Sequence, residues 1–248
     1  MKESFNNIIR DVVKKTTGRN VASYLLEGKS KIIKAVPPKD LETLFSSYYN
    51  NNYWRNNESV SGGGSTIEGT KILREKLEKL FSKYEIKSIL DLPCGDYNWM
   101  QYVKKDGIKY TGADIVGEMV EIDNKLFKND LINFVKLDIT KDNLPQNDLI
   151  IVRDCFVHLS YENILKALKQ IKQSKSKYLL VTSFSKWPRN FDIPNGMWRP
   201  INLEKAPFLI DKPLEIIVEE SEKSATFSDK SLFLYLVDII NFPDNNII

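Results

Sequence analysis

The chain has 248 residues, of which 42% are hydrophobic, so it can bury one sizeable core and is expected to form one domain with an N-terminal extension. Its net charge of +3 is too small to indicate a nucleic-acid-binding protein, and its two cysteines provide neither a disulfide framework nor the spacing of a metal site. No apolar run reaches the length of a membrane span, and the N-terminus lacks the apolar core of a signal peptide, so we expect a cytoplasmic protein.

The first part of the chain, residues 1–57, is predicted to be a helical extension or cap. Apolar residues between Phe5 and Val13 recur at helical spacing, which favours a helix packed on its own domain or on a partner subunit over one lying on a membrane surface. A second helix is expected from Lys39 to Tyr49. After the glycine run at 62–64, Ser65 and Glu68 form a predicted capping box for a third helix.

From residue 58 to the end, strands and helices alternate. Apolar runs predict strands near 87–92, 109–114, 132–138, 148–153, 177–184, 213–219 and 231–238. Helices are expected near 96–105, 116–127 and 161–173, whereas the short stretch from Thr140 to Asn147 leaves room only for a vestigial one. This alternation predicts an α/β fold: a Rossmann-like, seven-stranded, mostly parallel sheet with helices on both faces.

The most informative stretch is residues 88–100, where an apolar run ends at Asp91 and a tight loop with Gly95 follows. A second run ends at Asp114, nineteen residues after Gly95, where an acid reaches the ribose hydroxyls of an adenosine. Either NAD or S-adenosylmethionine fits such a pair. However, Pro93 and Tyr97 occupy positions at which a pyrophosphate needs glycines. The loop therefore favours S-adenosylmethionine.

The segment Asp91-Leu-Pro-Cys-Gly-Asp96 resembles the first motif of the class I S-adenosylmethionine-dependent methyltransferases, although two of its three usual glycines are missing. Residues 58–66 and 153–160 resemble a bacterial branch associated with cell-surface polysaccharide genes. The resemblance spans roughly residues 50–240. It implies a methyltransferase domain over 58–248, with the last strand antiparallel beside the fifth.

The resemblance also assigns roles around the cofactor. Asp91 and Gly95 are expected to shape the loop around its methionine part, Asp114 to bind the ribose, and Asp138 to meet the adenine amino group with Ile139 against the ring. Each acid could instead cap a helix or a surface turn. The full set expected to bind the cofactor is Trp54, Ser61, Gly63, Ser65, Asp91, Pro93, Gly95, Asp114, Ile115, Asp138, Ile139 and Arg153.

Asp154 and His158 follow the fourth strand and are expected beside the reacting methyl group, as the catalytic pair. The local pattern resembles the loop that carries the catalytic histidine of plant-type small-molecule O-methyltransferases, and an imidazole suits proton removal near neutral pH. The alternative is that His158 only hydrogen-bonds to backbone. The long loop after the fifth strand is expected to bind the acceptor through Arg189, Asn190, Trp198, Arg199 and Asn202, or else to be a surface loop anchored by its tryptophan.

These assignments predict O-methylation of a sugar hydroxyl, in a nucleotide sugar or a capsule or surface polysaccharide component. An N-methyltransferase, a methyltransferase for phosphate-type oxygens and a non-catalytic cofactor-binding protein remain alternatives. Nucleic-acid methylation is disfavoured because Arg-Asp-Cys-Phe, at 153–156, replaces the Asp/Asn-Pro-Pro-aromatic motif. The expected partners are a small-molecule or glycan acceptor, with no nucleic acid, no membrane span and no metal. The sequence leaves a homo-oligomer open.

Overall fold

The computed structural model describes residues 40–220 and 227–240. The helix predicted between Phe5 and Val13 therefore lies outside the described residues, together with most of the predicted extension. Among the helices within the described ranges, none combines the length and apolar character needed to cross a bilayer.

Seven strands form one sheet in the described part of the chain. In chain order they are β1 Ser88–Asp91, β2 Lys109–Asp114, β3 Ile132–Lys136, β4 Leu149–Val152, β5 Tyr178–Phe184, β6 Glu215–Val218 and β7 Lys230–Leu236. The order across the sheet is β3-β2-β1-β4-β5-β7-β6. β1 to β5 are mutually parallel, whereas β7 runs antiparallel to both β5 and β6. The predicted fold class and the antiparallel last strand are confirmed.

Both faces of the sheet are buried, as expected for a largely parallel sheet. All four residues of β4 are buried, and they alternate between the two apolar clusters that sandwich the sheet. Ile150 and Val152 join the cluster that contains Ile164 and Leu168, whereas Leu149 and Ile151 join the cluster that contains Leu73 and Leu77. This two-residue alternation fixes the direction of each side chain, so the loops at the strand ends have defined positions.

In the described ranges, four α-helices accompany the sheet: α1 Leu41–Asn50, α2 Lys71–Lys83, α3 Gly117–Phe127 and α4 Tyr161–Gln173. Three of them match helices predicted near 39–49, 116–127 and 161–173. Between β3 and β4 the structure has no helix, in keeping with the short connection.

Two helix predictions near the cofactor loop are wrong. Residues 96–105 contain only a single 3-10 turn at Met100–Tyr102, because Tyr97 has a left-handed backbone (φ +54°) that interrupts a helix. The capping box also fails. Ser65 ends a short 3-10 turn, α2 begins only at Lys71, and the Ile67 N–H is bound by the Glu58 carboxylate instead.

Candidate active site

A cavity opens at the carboxyl ends of β1 to β4, the place where ligands bind in open α/β sheets. Its wall contains eleven of the twelve residues predicted to bind the cofactor, and Gly63 is the one that it lacks. Asp154 and His158 also line it. The strand ends thus bring the predicted cofactor and catalytic residues to one site. The eleven are Trp54, Ser61, Ser65, Asp91, Pro93, Gly95, Asp114, Ile115, Asp138, Ile139 and Arg153.

The outer wall of the cavity is largely apolar, and none of the residues that form it was among the predicted site residues. Leu41, Phe45 and Tyr49 of α1 close the cavity from one side, and Trp99 and Met119 add further apolar surface. The spacing of the first three, on one face of α1, was the signal that could have indicated a buried helix over the site. Ligand sites of this kind bury most of an organic ligand and orient it with a few polar groups.

The loop after β1 approaches the segment before α2 very closely. Gly95 has φ +60°, and a Cβ placed there would lie 2.2 Å from the Ser61 Oγ. A residue with a side chain is therefore excluded at this position. Asp96 fastens the two segments, because its carboxylate accepts hydrogen bonds from the Ser59 hydroxyl at 3.0 Å and the Val60 N–H at 2.9 Å.

Asp114 connects the cofactor loop with the start of α3. One carboxylate oxygen accepts from the Gly95 N–H at 3.2 Å and the other from the Val116 N–H at 3.0 Å. Burial raises the pKa of this carboxyl to about 6. Each oxygen carries two lone pairs, so the carboxylate can still accept hydrogen bonds from two vicinal hydroxyls.

The other two predicted acids are also buried and partnered. Asp91 accepts a hydrogen bond from the Tyr110 hydroxyl at 2.7 Å, and burial raises its pKa to about 7. Asp138 accepts from the Thr140 N–H at 2.9 Å and from the Thr140 hydroxyl at 2.6 Å, and it pairs with Lys141 at 3.3 Å. Both carboxyls face the cavity from fixed positions.

Arg153 is held by a partner that the sequence did not indicate. Its guanidinium makes a two-pronged pair with the buried Glu219, through Nε at 3.2 Å and a terminal nitrogen at 2.7 Å. The same nitrogen donates to the Gly64 carbonyl at 2.8 Å, and the guanidinium lies over the Trp99 ring. Arg153 therefore joins the glycine run to the sheet as well as lining the cavity.

His158 sits on a 3-10 turn just after β4, with Nδ1 3.1 Å from the Met197 carbonyl. A carbonyl oxygen can only accept, so Nδ1 carries the proton and Nε2 keeps its lone pair. Burial lowers the pKa of the imidazole to about 4, against the opposing charge of Asp154. The ring is therefore neutral near pH 7. Its centroid lies 5.8 Å from that of Trp54.

The acceptor loop requires a correction, because none of its five predicted residues lines the cavity. Arg199 is fully buried and donates to the carbonyls of Phe191, Phe156 and Leu159. Its guanidinium thus fastens the loop to the segment that carries His158. The structure does not support the prediction that it binds a hydroxyl or a phosphate of the acceptor.

The other four residues predicted to bind the acceptor also lie outside the cavity wall. Asn190 and Asn202 are buried, and the Asn190 side chain binds the Asn202 backbone: its amide donates to the Asn202 carbonyl at 2.8 Å and accepts from the Asn202 N–H at 2.9 Å. Trp198 packs on Phe227 at 4.8 Å between ring centroids, and Arg189 is exposed to solvent. These contacts favour the alternative of a loop anchored by its tryptophan.

Asp123, in α3, is a buried acid that the sequence did not single out. It is 2% exposed, and one of its carboxylate oxygens has no hydrogen-bond partner among the described residues. Burial raises its pKa to about 7, and the charges of Asp96 and Asp114 act in the same direction. A neutral carboxyl is thus favoured in the folded protein up to that pH.

We expect Asp123→Asn to stabilise the protein by about 1–3 kcal/mol at pH 8, because it removes a buried negative charge that desolvation and the neighbouring Asp96 and Asp114 disfavour. Because the folded-state pKa exceeds the ordinary 3.8, the carboxyl loses stability as pH rises from about 4 to about 7. The gain from asparagine should therefore be near zero at pH 4 and largest above pH 7. Thermal unfolding across this range measures it. Asp130→Asn, at an exposed site, is the control, and equal effects of the two variants would contradict the prediction.

Within residues 40–220 and 227–240, no three His, Cys, Asp or Glu side chains are grouped so that they could hold a metal ion. Comparison with known families matches residues 89–175, from β1 to the end of α4, to a family described as "Methyltransferase domain". A comparison with curated protein sequences finds none that matches.

Solved structures of low identity share the fold. Human N-acetylserotonin methyltransferase in complex with S-adenosylmethionine is 16% identical with a TM-score of 0.55, over 92% of this chain and 64% of that one. The methyltransferase domain of a bacterial Hen1 is 12% identical with a TM-score of 0.51, over 69% and 98%. Magnesium protoporphyrin IX methyltransferase from Synechocystis PCC 6803, with bound S-adenosylhomocysteine, is 12% identical with a TM-score of 0.50, over 77% and 93%.

The family match covers the strands and loops that build most of the cavity, and the solved structures share the surrounding sheet. On these two findings, residues 89–175 are similar to the methyltransferase-domain family, and the chain has the fold of these S-adenosylmethionine-dependent methyltransferases.

Proposed function

We propose that this protein transfers a methyl group from S-adenosylmethionine to a hydroxyl of a sugar, in a nucleotide sugar or a surface polysaccharide component, in the cytoplasm. The observation that carries the oxygen-acceptor part is His158. Its Nδ1 is anchored on the Met197 carbonyl, and Nε2 keeps its lone pair at the cavity that Asp154 also lines. A hydroxyl must lose its proton as it attacks, so it requires such a base.

The residues around the cavity fit the cofactor. Gly95 lines the cavity on the loop after β1, Asp114 has lone pairs for two ribose hydroxyls, and Asp138 has them for the adenine amino group. Ile115 and Ile139 supply apolar surface for the adenine ring. Two of the structural neighbours were solved with S-adenosylmethionine or S-adenosylhomocysteine. When bound, the cofactor supplies an electrophilic methyl group on a sulfonium.

The chain's own residues orient the acceptor and take its proton. A neutral imidazole with a fixed ring plane can accept the hydroxyl proton at Nε2, which contributes about 10²–10⁴-fold to the rate. Trp54 lies beside His158 and lines the cavity, so its indole offers an apolar face on which a sugar ring can stack. The acceptor is thus placed against the part of the cavity wall that Trp54 and His158 share, and not on the loop 186–202.

The decisive experiment is incubation of the protein with methyl-labelled S-adenosylmethionine and a panel of nucleotide sugars and glycan fragments. Amines and phosphate esters of similar size belong in the panel. Label in a sugar methyl ether supports the proposal. Label found only in an amine or a phosphate ester would contradict the sugar acceptor and assign the acceptor to that class. If the protein binds S-adenosylhomocysteine but transfers no label to any of the panel or to a cell extract, a non-catalytic cofactor-binding role is favoured.

Asp114→Ala should weaken binding of S-adenosylhomocysteine by about 1.5–3 kcal/mol, or roughly 10- to 150-fold, because hydrogen bonds to a charged group are lost. Calorimetric titration at pH 8 measures this, where the carboxyl with its pKa of about 6 is ionised. Asp106→Ala, at an exposed site after the cofactor loop, is the control. Unchanged affinity in Asp114→Ala would remove Asp114 from the cofactor site, whereas micromolar binding of NAD to the wild type would contradict the choice of S-adenosylmethionine as the cofactor.

A further inference from the structure

Strands β6 and β7 place two charged residues against Arg153 and Asp154, and neither of the two lines the cavity itself. Glu219 follows the end of β6 and is 3% exposed, and Lys230 is the first residue of β7. The Lys230 ammonium lies 3.2 Å from the Glu219 carboxylate and 2.5 Å from the Asp154 carboxylate. Arg153 binds the same Glu219 and lies 3.5 Å from the same Asp154 oxygen. Two cations and two anions therefore form one network.

Asp154 and Arg153 are the two members of this network that line the cavity, and the conformation of Asp154 is constrained. Its backbone is left-handed (φ +53°), a conformation that strains a residue other than glycine. Its N–H donates to the Thr182 hydroxyl at 2.8 Å. Lys230 and Arg153 both contact Oδ2, so Oδ1 is the oxygen that has no hydrogen-bond partner within the described residues.

The network also sets the charge that His158 experiences. The charged groups that face the imidazole come from three elements: Asp154 after β4, Arg199 after β5 and Lys230 on β7. Asp154 favours the protonated ring, whereas Arg199 and Lys230 oppose it. Arg199 is committed to three backbone carbonyls. Lys230 and Arg153 both contact the Asp154 carboxylate, and Lys230 is the closer of the two cations.

We propose that Lys230, anchored by Glu219, is a positioning residue: it holds Asp154 by Oδ2 beside the cavity and offsets the negative charge that this carboxylate presents to His158. The base role of His158 rests on the proposed function. The electrostatic part does not, because it concerns only side chains that are present in the ligand-free protein.

The test uses the fact that His158 is the only histidine in the chain, so its imidazole gives one unambiguous set of NMR signals. Titration of the ligand-free wild-type protein should place the midpoint of imidazole protonation, and so the pKa of His158, near 4. Lys230→Met should raise it by about one unit, a tenfold gain in proton affinity, because Asp154 is left less neutralised. Lys230→Arg should titrate as the wild type does. Lys109→Met, at the exposed first residue of β2, is the matched control and should not shift the midpoint.

A midpoint in Lys230→Met within about 0.3 unit of the wild type would overturn the proposal, since a shift that small reflects no direct charge contact. Lys230→Gln keeps a hydrogen-bond donor and carries no charge, so it replaces methionine if that variant does not fold, with the same expected direction. Calorimetry with S-adenosylhomocysteine should show unchanged affinity in all folded Lys230 variants. Failure of the wild type to bind S-adenosylhomocysteine would contradict the proposed function alone and leave the titration result standing.

Discussion

Replacing His158 with asparagine should lower kcat by about 10²–10⁴ while affinity for S-adenosylhomocysteine stays near that of the wild type. An asparagine amide can still donate to the Met197 carbonyl, as Nδ1 of His158 does, but it has no basic nitrogen in place of Nε2. The variant therefore separates the chemical role from the structural one. Initial rates with labelled cofactor and the acceptor identified from the panel give the measurement.

The pH profile supplies the control. Since the base must be neutral, the wild-type rate should fall as pH drops through about 4 and be flat between roughly pH 5.5 and 8, whereas a free imidazole titrates near 6.5. His158→Ala removes both the base and the hydrogen bond, so it should lose stability as well as rate. If His158→Asn retains near-normal kcat, the base and the oxygen-acceptor proposal both fail.

The strands could be predicted because burial on both faces leaves a simple sequence signal. The run Leu149–Val152 is apolar without interruption, and the structure buries every residue of it. The site at the carboxyl ends of the strands followed from the parallel arrangement, which brings Asp91, Asp114 and Asp138 to one edge without any knowledge of loop structure. Residues whose position is set by a strand end were thus predicted well.

The sequence-based predictions fail where the structure depends on local backbone conformation or on main-chain groups that are distant in sequence. The helix expected after Gly95 is absent because Tyr97 is left-handed, and a tyrosine gives no warning of that. Arg199 and Asn202 look like ligand-binding residues in a polar loop, but their partners are main-chain carbonyls that any sequence would provide. Composition alone cannot distinguish a polar side chain that binds backbone from one that binds a ligand.

The pairing of Arg153 with Glu219 was likewise outside the reach of the sequence, because 66 positions separate the two residues. Both side chains are almost fully buried, with 5% and 3% exposed. Two charges removed from water stabilise a fold only modestly as a pair, but loss of one partner leaves the other buried and uncompensated. Removing one partner alone is therefore expected to lower the stability of the protein strongly.

Arg153→Met should destabilise the protein by about 3–5 kcal/mol, the range for breaking a buried ion pair, as measured by denaturant unfolding near neutral pH. Lys230 still touches Glu219 in this variant, which places the expected value toward the lower end. Adding Glu219→Gln removes the buried negative charge that has lost its Arg153 partner, so the double variant should be more stable than Arg153→Met alone. Lys166→Met is the matched control, because its pair with Glu162 lies exposed on α4 and should contribute less than about 1 kcal/mol. A cost for Arg153→Met no larger than that of the control would show that the buried network does not hold the glycine run and the β6–β7 hairpin against the sheet.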